Sequence, residues 1–415
     1  MPSSVLIAAG GTGGHIFPGV AVAREFLRRD PQTRIVFVGT ERGLETRVIP
    51  SEGFPLELID VAGLNRVGMT QALRTLAKLP RSFFQARAIL QRDRPDIVIG
   101  VGGYASGPVL LAASLGARPT MIIEPNALPG FTNRILARWV RAAALTFAEA
   151  ARFFPGKAVV TGNPVRLEFF SITPRSVGSP PHILVFGGSQ GSHAINLVML
   201  DVVPSLLKRH DQLTVTLQTG ERDFEMVRAT CERLGLQHRW DTRPFINAIA
   251  QEFARADFVV SRAGATTVAE ITAAGRPAIL IPLPTAADDH QRKNAEALED
   301  AGAALCLVQS ERTADRLTAM IEALLREPNR LEAMALASRR LAHADAAGRI
   351  VDLAYRLMEG EPIEAGSSKR VSRSEGRPRK NEFRMTEALH REDARSMLPE
   401  SVVDHRRDVA ALLSV

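Results

Sequence analysis

Short, almost continuously apolar runs alternate with longer stretches of helical periodicity through most of this chain. In the first half the runs fall at residues 5–8, 34–38 and 96–99, and in the second half at 182–186, 214–217, 257–260 and 278–282. Runs without a polar face are typical of parallel strands that helices cover on both sides. The pattern therefore predicts an α/β protein with two doubly wound, Rossmann-like domains.

Two glycine-rich turns stand at corresponding points of the two halves. Residues 9–15 read Ala-Gly-Gly-Thr-Gly-Gly-His, residues 186–192 read Phe-Gly-Gly-Ser-Gln-Gly-Ser, and each turn follows an apolar run and opens a helix. Glycines let the backbone approach a ligand closely, and the free N–H groups of the next helix offer a phosphate site. Because such sheets bind ligands at the carboxyl ends of their strands, both loops are expected to face one central cleft. The alternative is that the glycines only let a strand and a helix pack closely.

Length and composition favour two domains followed by a tail. The 415 residues are 45% apolar, which is enough for two cores, and prolines between residues 163 and 181 mark the boundary. We expect an N-terminal domain over 1–165 and a C-terminal domain over 166–360. Residues 369–384 hold seven lysines or arginines against two glutamates. We therefore predict a basic, disordered tail over 361–415, with a short helix at 402–415.

Several kinds of site are disfavoured by what the chain lacks. Cys231 and Cys306 are its only cysteines, and neither has a second ligand at metal-binding spacing, which argues against disulfides and zinc. The first glycine loop has neither the dinucleotide fingerprint nor the lysine of a nucleoside-triphosphatase loop. Residues 288–291 (Asp-Asp-His-Gln) are interpreted as a polar loop, since adjacent acids do not easily converge on one ion. We expect no metal and no cofactor.

Apolar segments, the first residues and the net charge bear on where the protein acts and what it binds. No stretch reaches the roughly 18 apolar residues of a spanning helix, and the first residues lack the pattern of a cleavable leader. These observations predict a cytosolic protein. The net charge of +7 suits nucleic acid, an anionic membrane surface or a phosphorylated ligand, and charge alone does not choose among them.

Three residues beside the small-residue turns are candidates for chemistry. His15, at the start of a helix, can act as a general base in the cleft or make only local hydrogen bonds. Ser106, in the turn at 102–108 (Gly-Gly-Tyr-Ala-Ser-Gly-Pro), is expected to cap the next helix. Glu270 can accept hydrogen bonds from two ribose hydroxyls or only complement the dipole of its helix.

Five motifs, taken together, resemble those of the MurG family of bacterial glycosyltransferases. They are Gly-Gly-Thr-Gly-Gly-His at 10–15, Gly-Gly-Tyr-Ala-Ser-Gly-Pro at 102–108, Gly-Asn-Pro-Val-Arg at 162–166, Gly-Gly-Ser-Gln-Gly at 187–191 and Ala-Thr-Thr-Val-Ala-Glu at 265–270. The resemblance covers residues 4–358 and excludes the tail. It implies a two-domain GT-B fold that transfers N-acetylglucosamine from UDP-N-acetylglucosamine to the C4 hydroxyl of the muramyl sugar of lipid I. The anomeric carbon is inverted, and the product is lipid II for peptidoglycan biosynthesis.

The resemblance also assigns site residues. Those expected to bind the substrates are Thr12, Gly13, Gly14, Asn126, Arg166, Ser189, Ile246, Ala265, Thr266, Thr267, Val268, Ala269, Glu270 and Gln291. Arg166 and Ser189 would contact the diphosphate, Ile246 would hold the uracil through its backbone, and Glu270 would take the ribose hydroxyls. Thr12, Gly13 and Gly14 would lie at the donor sugar and diphosphate, and Asn126 and Gln291 at the sugar.

The same resemblance bears on catalysis. His15 is the expected catalytic base and Glu124 is the alternative, while helix-start N–H groups and Arg166 would stabilise the departing diphosphate without a metal. Two positions depart from the family pattern. Pro125 stands where glutamine is common, and His290 where some relatives have a second glutamine.

Lipid I is membrane-anchored, so the resemblance implies a peripheral enzyme on the cytoplasmic face of the inner membrane. Its partners would be the two substrates and an anionic lipid surface, with no nucleic acid. The candidate surface patch combines Leu73, Leu76, Phe83 and Phe84 with Arg74, Lys78, Arg81 and Arg87. The alternative is an ordinary amphipathic helix whose apolar side lies in the core.

Three rival functions remain at this stage. A related transferase could move a hexose to another acceptor, although the turn at 102–108 favours the muramyl acceptor. A UDP-sugar 2-epimerase would share the two-domain shape with different carboxylates and histidines. A non-catalytic nucleotide-sugar-binding scaffold would explain the folds and the basic tail, but the presence of His15 and Arg166 argues against it.

Overall fold

Two parallel β-sheets carry the fold, one in each half of the chain. The computed structural model describes residues 3–11, 13–41, 43–61, 69–175, 178–188, 190–310 and 313–362, with residues 69–79 and 287 described by their backbone only. The first sheet has seven strands in the order β3-β2-β1-β4-β5-β6-β7, and the second has six in the order β10-β9-β8-β11-β12-β13. The predicted α/β class with two doubly wound, Rossmann-like domains is confirmed.

The first domain alternates strands with helices. Its elements are β1 (Ser4–Ala9), α1 (Gly13–Arg29), β2 (Arg34–Gly39), α2 (Glu45–Ser51), β3 (Leu56–Leu58), α3 (Met69–Asp93), β4 (Ile97–Gly102), α4 (Ser106–Leu115), β5 (Thr120–Glu124), α5 (Phe131–Leu136), β6 (Ala142–Leu145) and β7 (Ala158–Val160). Short 3-10 helices follow at Ala148–Phe153 and Leu167–Phe169. Central β1 pairs in parallel with both β2 and β4, so that Ile7 lies between Phe37 and Ile99.

The second domain repeats this plan. Its elements are β8 (His182–Phe186), α6 (His193–Arg209), β9 (Thr214–Gln218), α7 (Phe224–Arg233), β10 (Trp240–Arg243), α8 (Ile249–Arg255), β11 (Phe258–Ser261), α9 (Ala265–Ala274), β12 (Ala278–Leu280), α10 (His290–Asp300), β13 (Ala304–Cys306), α11 (Thr313–Arg326) and α12 (Pro328–Arg340). A 3-10 turn at Ala287–Asp289 precedes α10.

Burial on both faces explains why the strands read as apolar throughout. In β1, Val5 and Ile7 belong to the core on one face of the sheet, while Leu6 and Ala8 belong to the core on the other face. Strand β8 divides its residues in the same way between two further cores. Each domain is therefore a three-layer sandwich, and its loops at the carboxyl ends of the strands are left to form a site.

The last described helix, α13 (Ala346–Met358), packs on the first domain although the sequence interpretation assigned 166–360 to the second. Its apolar face joins the same core as β1, and the ring of Tyr355 meets Phe26 edge-on at a centroid distance of 5.5 Å. Arg29 fastens this contact by donating to the carbonyl of Gly348 at 2.9 Å and pairing with Asp352. The chain therefore crosses back to the first sheet after completing the second.

The sequence predicts that no helix spans a membrane and that the chain ends in a basic tail. Within the described residues, no helix is both long and apolar enough to cross a bilayer. The predicted basic tail lies outside the described residues from position 363 onward, as does the helix predicted at 402–415.

Candidate active site

A cavity of about 1350 Å³ lies where the turns after the strands of both sheets meet. The first domain contributes the turns after β1, β4 and β5, and the second contributes those after β8, β11 and β12. Both glycine-rich turns line it, the first through Gly10, Gly11, Gly13 and Gly14 and the second through Gly188. The two glycine-rich turns therefore face one cleft, as expected from the sequence.

Most of the residues predicted for the site line this cleft. They are Gly13, Gly14, His15, Glu124, Asn126, Arg166, Ile246, Ala265, Thr266, Thr267, Glu270 and Gln291. Val268 and Ala269 are not among the lining residues, because both are buried and Val268 packs in the core of the second domain. Thr12 and Ser189 lie outside the described residues.

His15 faces the cleft from the first turn of α1. Its Nδ1 is 3.3 Å from the carbonyl oxygen of Gly10. Since a carbonyl only accepts, Nδ1 carries the proton in this contact and Nε2 keeps its lone pair. Burial lowers the pKa of His15 below its usual value, and the bond to Gly10 only partly opposes this. The local hydrogen bond therefore occupies one ring nitrogen and leaves the other available as a base.

The turn after β4 seats the imidazole of His15. Gly102 and Gly103 have φ values of +119° and +80°. A Cβ on Gly102 would lie 2.9 Å from Nε2 of His15, and a Cβ on Gly103 only 2.2 Å from the carbonyl oxygen of Gly10. Only glycine fits at these two positions, since both the conformation and the space exclude a side chain.

Ser106 does not cap α4, contrary to the sequence expectation. It is the first residue of the helix, and its hydroxyl accepts from the N–H of Gly102 at 3.0 Å. The hydroxyl proton lies within reach of the carbonyls of Gly102 and Ala8, at 2.8 and 2.9 Å. Ser106 therefore joins the ends of β1 and β4 beneath the His15 site.

Glu124 is fully engaged with the loop that follows β5. Its carboxylate accepts from the backbone and side-chain amides of Asn126 at 2.9 and 3.1 Å, from the N–H of Gly130 at 3.2 Å and from Nδ2 of Asn133 at 2.8 Å. Burial raises the pKa of Glu124, and these hydrogen bonds oppose the rise. A carboxylate with four donors around it organises its loop and has little capacity left to take a proton from a substrate.

A buried asparagine of the second domain holds the same loop. Asn294, in α10, accepts from the N–H of Ala127 at 2.9 Å, and its Nδ2 donates to Oδ1 of Asn126 and to the carbonyl of Ala263, both at 3.1 Å. Ala263 lies just before α9. One side chain therefore connects the predicted sugar loop with the start of the predicted nucleotide helix.

The start of α9 and Arg166 form the anionic-ligand side of the cleft. Ala265, Thr266 and Thr267 bring the N-terminal end of this helix to the cavity, where free N–H groups favour a phosphate. The buried Oγ1 of Thr266 has no hydrogen-bond partner among the described residues. Arg166 pairs with Glu168 at 3.0 Å and with Glu270 at 3.5 Å. Because its guanidinium is half-exposed, it can also contact an anion in the cleft.

Glu270 titrates in an unusual range. Burial raises its pKa to about 7, and Arg166 opposes this rise. A carboxyl with such a pKa exchanges its proton near neutral pH and responds to a ligand that donates hydrogen bonds to it.

Gln218, at the end of β9, was not anticipated from the sequence. Its Nε2 donates to the carbonyl of Gly188 at 2.8 Å, and its Oε1 accepts from the N–H of Ile246 at 3.0 Å. The side chain therefore ties the second glycine loop to the predicted uracil contact. A uracil ring that accepts a hydrogen bond from the N–H of Ile246 has to displace the side chain of Gln218.

The loop before α10 also contacts the first domain. Asp288 accepts from the N–H of Phe131 at 3.1 Å and lies 3.3 Å from Arg134, while Asp289 pairs with Arg292 at 2.7 Å. Gln291 accepts from the N–H of Leu283 at 3.0 Å. Within the described part of the chain, no cluster of histidines, cysteines and acids has the arrangement of a metal site.

The first domain lines its side of the cleft with large apolar side chains. Phe17, Tyr104, Phe131, Ile135 and Trp139 are each between 40% and 50% exposed and all face the cavity. Exposed apolar groups that converge on one cleft mark a ligand surface with an apolar part. Sequence periodicity did not reveal this wall, because its members come from three separate segments.

Both halves of this chain are similar to known proteins. The glycosyltransferase family 28 N-terminal domain matches residues 5–145, and the glycosyltransferase family 28 C-terminal domain matches residues 182–350. A UDP-N-acetylglucosamine–N-acetylmuramyl-(pentapeptide) pyrophosphoryl-undecaprenol N-acetylglucosamine transferase of Anaeromyxobacter sp. (strain Fw109-5) is 48% identical over 357 residues, covering 85% of this chain and 93% of the relative. The enzyme of the same name from Anaeromyxobacter dehalogenans (strain 2CP-C) is 45% identical over 380 residues, covering 90% and 98%.

A solved structure of the MurG family is also similar to this chain. The crystal structure of Acinetobacter baumannii MurG superposes with a TM-score of 0.72 at 32% identity, covering 86% of this chain and all of that one. Both halves of this chain match family 28, and the relatives are similar along almost their whole length. The chain therefore belongs to glycosyltransferase family 28 and, within it, to the MurG family.

Proposed function

We propose that this protein transfers N-acetylglucosamine from UDP-N-acetylglucosamine to the C4 hydroxyl of the muramyl sugar of lipid I, giving lipid II and UDP. The observation that carries the proposal is the cleft itself. It brings His15, with Nε2 unprotonated, to the same cavity as the helix start and the carboxylate at Ala265–Glu270. The names of the relatives supply the two substrates.

The donor would bind mainly on the second domain. The N–H groups at the start of α9, the hydroxyl of Thr266 and the guanidinium of Arg166 suit the diphosphate. The backbone of Ile246 would hold the uracil, and Glu270 would accept from the ribose hydroxyls. The sugar would then lie towards Asn126 and Gln291. Thr12 and Ser189 keep their predicted roles at the diphosphate.

The transfer step then follows from charge. The acceptor oxygen attacks the anomeric carbon from the face opposite UDP, the bond from that carbon to the diphosphate oxygen breaks, and its electron pair stays on UDP. The proton of the acceptor hydroxyl moves to Nε2 of His15. Arg166 and the start of α9 stabilise the charge that develops on the diphosphate. Attack from the opposite face inverts the anomeric carbon.

In this proposal Glu124 positions the loop and does not act as the base. Its oxygens already accept from Asn126, Gly130 and Asn133, whereas Nε2 of His15 keeps its lone pair. The lowered pKa of His15 keeps the imidazole neutral at pH 7, which is the state a base needs.

Lipid I brings an apolar chain, and the apolar wall of the first domain would face it. We also propose peripheral attachment to the cytoplasmic face of the inner membrane through the outer side of α3. There Phe84 is 66% exposed beside exposed Arg81 and Arg87. Phe83, by contrast, packs partly against the core, so the amphipathic-helix interpretation holds for that residue. The structure describes only the backbone of the other patch residues, Leu73, Arg74, Leu76 and Lys78.

Incubation with sugar-labelled UDP-N-acetylglucosamine and a lipid I analogue tests the proposal. We expect label in the lipid fraction and one UDP released per sugar transferred. Release of UDP with no labelled lipid would contradict the transfer. Formation of an epimeric UDP-sugar would support the rival epimerase function instead.

A further inference from the structure

One buried carboxylate beside the first glycine loop has no role in the mechanism above. Glu45, in the first turn of α2, is 0% exposed. Its Oε2 accepts from the N–H of Gly11 at 2.9 Å, and its Oε1 accepts from the N–H and the hydroxyl of Thr40 at 3.1 and 2.7 Å. It forms no ion pair with a lysine or arginine in the part of the chain that the structure describes.

Three glycines make room for this carboxylate. A Cβ on Gly10 would lie 2.9 Å from Oε1 of Glu45, a Cβ on Gly39 would lie 2.8 Å from its Cγ, and a Cβ on Gly43 would lie 1.9 Å from Oε2. Gly10 follows β1, whereas Gly39 and Gly43 belong to the end of β2 and the turn that leads from it into α2. The surroundings therefore fit a glutamate closely and hold its carboxylate against the first glycine loop.

The peptide group between Gly10 and Gly11 connects this carboxylate to His15. The N–H of that peptide group donates to Glu45, and its carbonyl oxygen accepts from Nδ1 of His15 at 3.3 Å. A carboxylate that accepts from the N–H of an amide polarises the amide and makes its carbonyl a stronger acceptor. The two hydrogen bonds therefore act in the same direction.

We propose that Glu45 is a positioning residue that acts on His15 through the Gly10–Gly11 peptide group. It fixes the tautomer with the proton on Nδ1, aims Nε2 at the acceptor hydroxyl, and stabilises the imidazolium once Nε2 has taken the proton. The arrangement does for His15 what a directly bonded carboxylate does for a catalytic histidine, with one peptide group inserted between them. The proposal rests on the proposed function of His15 as the base.

Other charged groups near His15 set the background for its titration. His290, at the start of α10, disfavours the imidazolium, whereas Glu45 favours it. Glu124 and Tyr104 line the same cleft. Both His290 and Glu45 act on the charge of His15. Glu45 is in addition connected to His15 by hydrogen bonds through the Gly10–Gly11 peptide group.

Glu45→Gln tests the proposal because it keeps the shape and removes the charge. Glu322→Gln is the control for the loss of a buried carboxylate elsewhere, since Glu322 lies in the second domain, pairs with Arg209 and Arg326 and does not line the cleft. We expect Glu45→Gln to lower kcat for transfer by about 10- to 100-fold, with UDP affinity within about twofold of wild type because most of the proposed contacts to UDP come from the second domain. Glu45→Asp retains the charge and should recover part of the loss.

The pH profile separates positioning from simple folding. Loss of the negative charge lowers the pKa of His15, so the acid limb of kcat/KM should move to lower pH in Glu45→Gln and stay in place in Glu322→Gln. In a His15→Ala background, Glu45→Gln should cost little further activity, because its effect passes through His15.

An NMR titration of His15 in the free protein gives a readout that does not depend on activity. We expect the His15 signal, assigned by its loss in His15→Ala, to titrate at lower pH in Glu45→Gln than in wild type. An unchanged titration and fully additive activity losses would overturn the role of Glu45. A wild-type protein that transfers no label would overturn the proposed function instead, and the NMR result would still judge the contact between Glu45 and His15.

Discussion

Nδ2 of Asn294, in the second domain, donates a hydrogen bond to Oδ1 of Asn126, in the first domain, at a distance of 3.1 Å. The same asparagine is 0% exposed and also contacts Ala127 and Ala263. The amide that is predicted to meet the donor sugar is therefore oriented by the domain that is predicted to bind the nucleotide. The loop that is predicted to recognise the sugar and the helix that is predicted to bind the nucleotide therefore share one buried side chain.

Replacing Asn294 by aspartate should weaken use of the donor. The new carboxylate can still accept from Ala127, but its other oxygen faces the oxygens of Asn126 and Ala263 without a proton to donate. We expect the KM for UDP-N-acetylglucosamine to rise about tenfold, which corresponds to the loss of a buried hydrogen bond. Steady-state kinetics of Asn294→Asp measure this. Lys293→Ala, the next residue of α10, is the control and should match wild type. Equal KM values in all three proteins would refute the coupling.

Binding of the donor should strengthen as the pH rises from 6 to 8. The pKa of Glu270 is about 7 in the free protein. Ribose hydroxyls that donate to the carboxylate favour its ionised form, so binding lowers this pKa and releases a proton. Below pH 7 the proton must first be removed, and affinity falls by up to about tenfold per pH unit.

Isothermal titration with UDP-N-acetylglucosamine in two buffers of different ionisation enthalpy measures that proton release. The diphosphate diester of the donor does not titrate in this range, so the proton comes from the protein. Glu270→Gln should bind more weakly and lose the dependence on pH. Proton uptake by wild type would show that Glu270 does not receive the hydroxyls.

Glu124→Gln should destabilise the loop after β5 without changing the catalytic base. An amide presents one oxygen where the carboxylate presented two, and four N–H donors surround it. We expect the free energy of unfolding to fall by about 1–3 kcal/mol, with the acid limb of the pH profile in its wild-type position. Chemical denaturation and pH-dependent kinetics test this against the exposed-site control Glu149→Gln. If Glu124→Gln abolished the acid limb, Glu124 would be the base.

Phe84→Ser should reduce binding to anionic vesicles. Phe84 is among the most exposed large apolar side chains of the first domain, and cationic neighbours on α3 flank it. Transfer of an aromatic side chain into the interface and attraction to anionic lipid add to each other, so we expect several-fold weaker co-sedimentation. Leu336→Ser is the control, because Leu336 is also an exposed apolar side chain and lies on α12 of the second domain. The patch would be ruled out if both variants bound as wild type does.

Local patterns were sufficient to predict the strands β1, β2, β4, β8, β9, β11 and β12, the glycine turns and the place of His15, but not the other strands. An apolar run and the turn after it are set by neighbouring residues, as at β1 and β8. The role of Ser106 was predicted wrongly, because its hydroxyl bonds to the end of β1, almost a hundred residues away. The return of α13 to the first sheet was missed for a related reason, since its apolar face does not specify which core it joins.

The polar side chains that support the site lay beyond sequence reasoning. Glu45, Gln218 and Asn294 each sit in unremarkable helix or strand sequence, and their partners come from distant segments. A buried carboxylate is recognised only when its burial is known. Gly39 and Gly43 stand near Glu45 in the sequence, but Glu41 lies between these two glycines, so their spacing alone does not show which glutamate is buried.

His15 is the proposed base for transfer in this cleft, and the His15→Ala variant tests that role. We expect single-turnover transfer of labelled N-acetylglucosamine to the lipid I analogue to slow by about 10²- to 10⁴-fold, with the Kd for UDP nearly unchanged. His238→Ala, at an exposed histidine of the second domain, should behave as wild type. Wild-type transfer by His15→Ala would show that His15 is not the base.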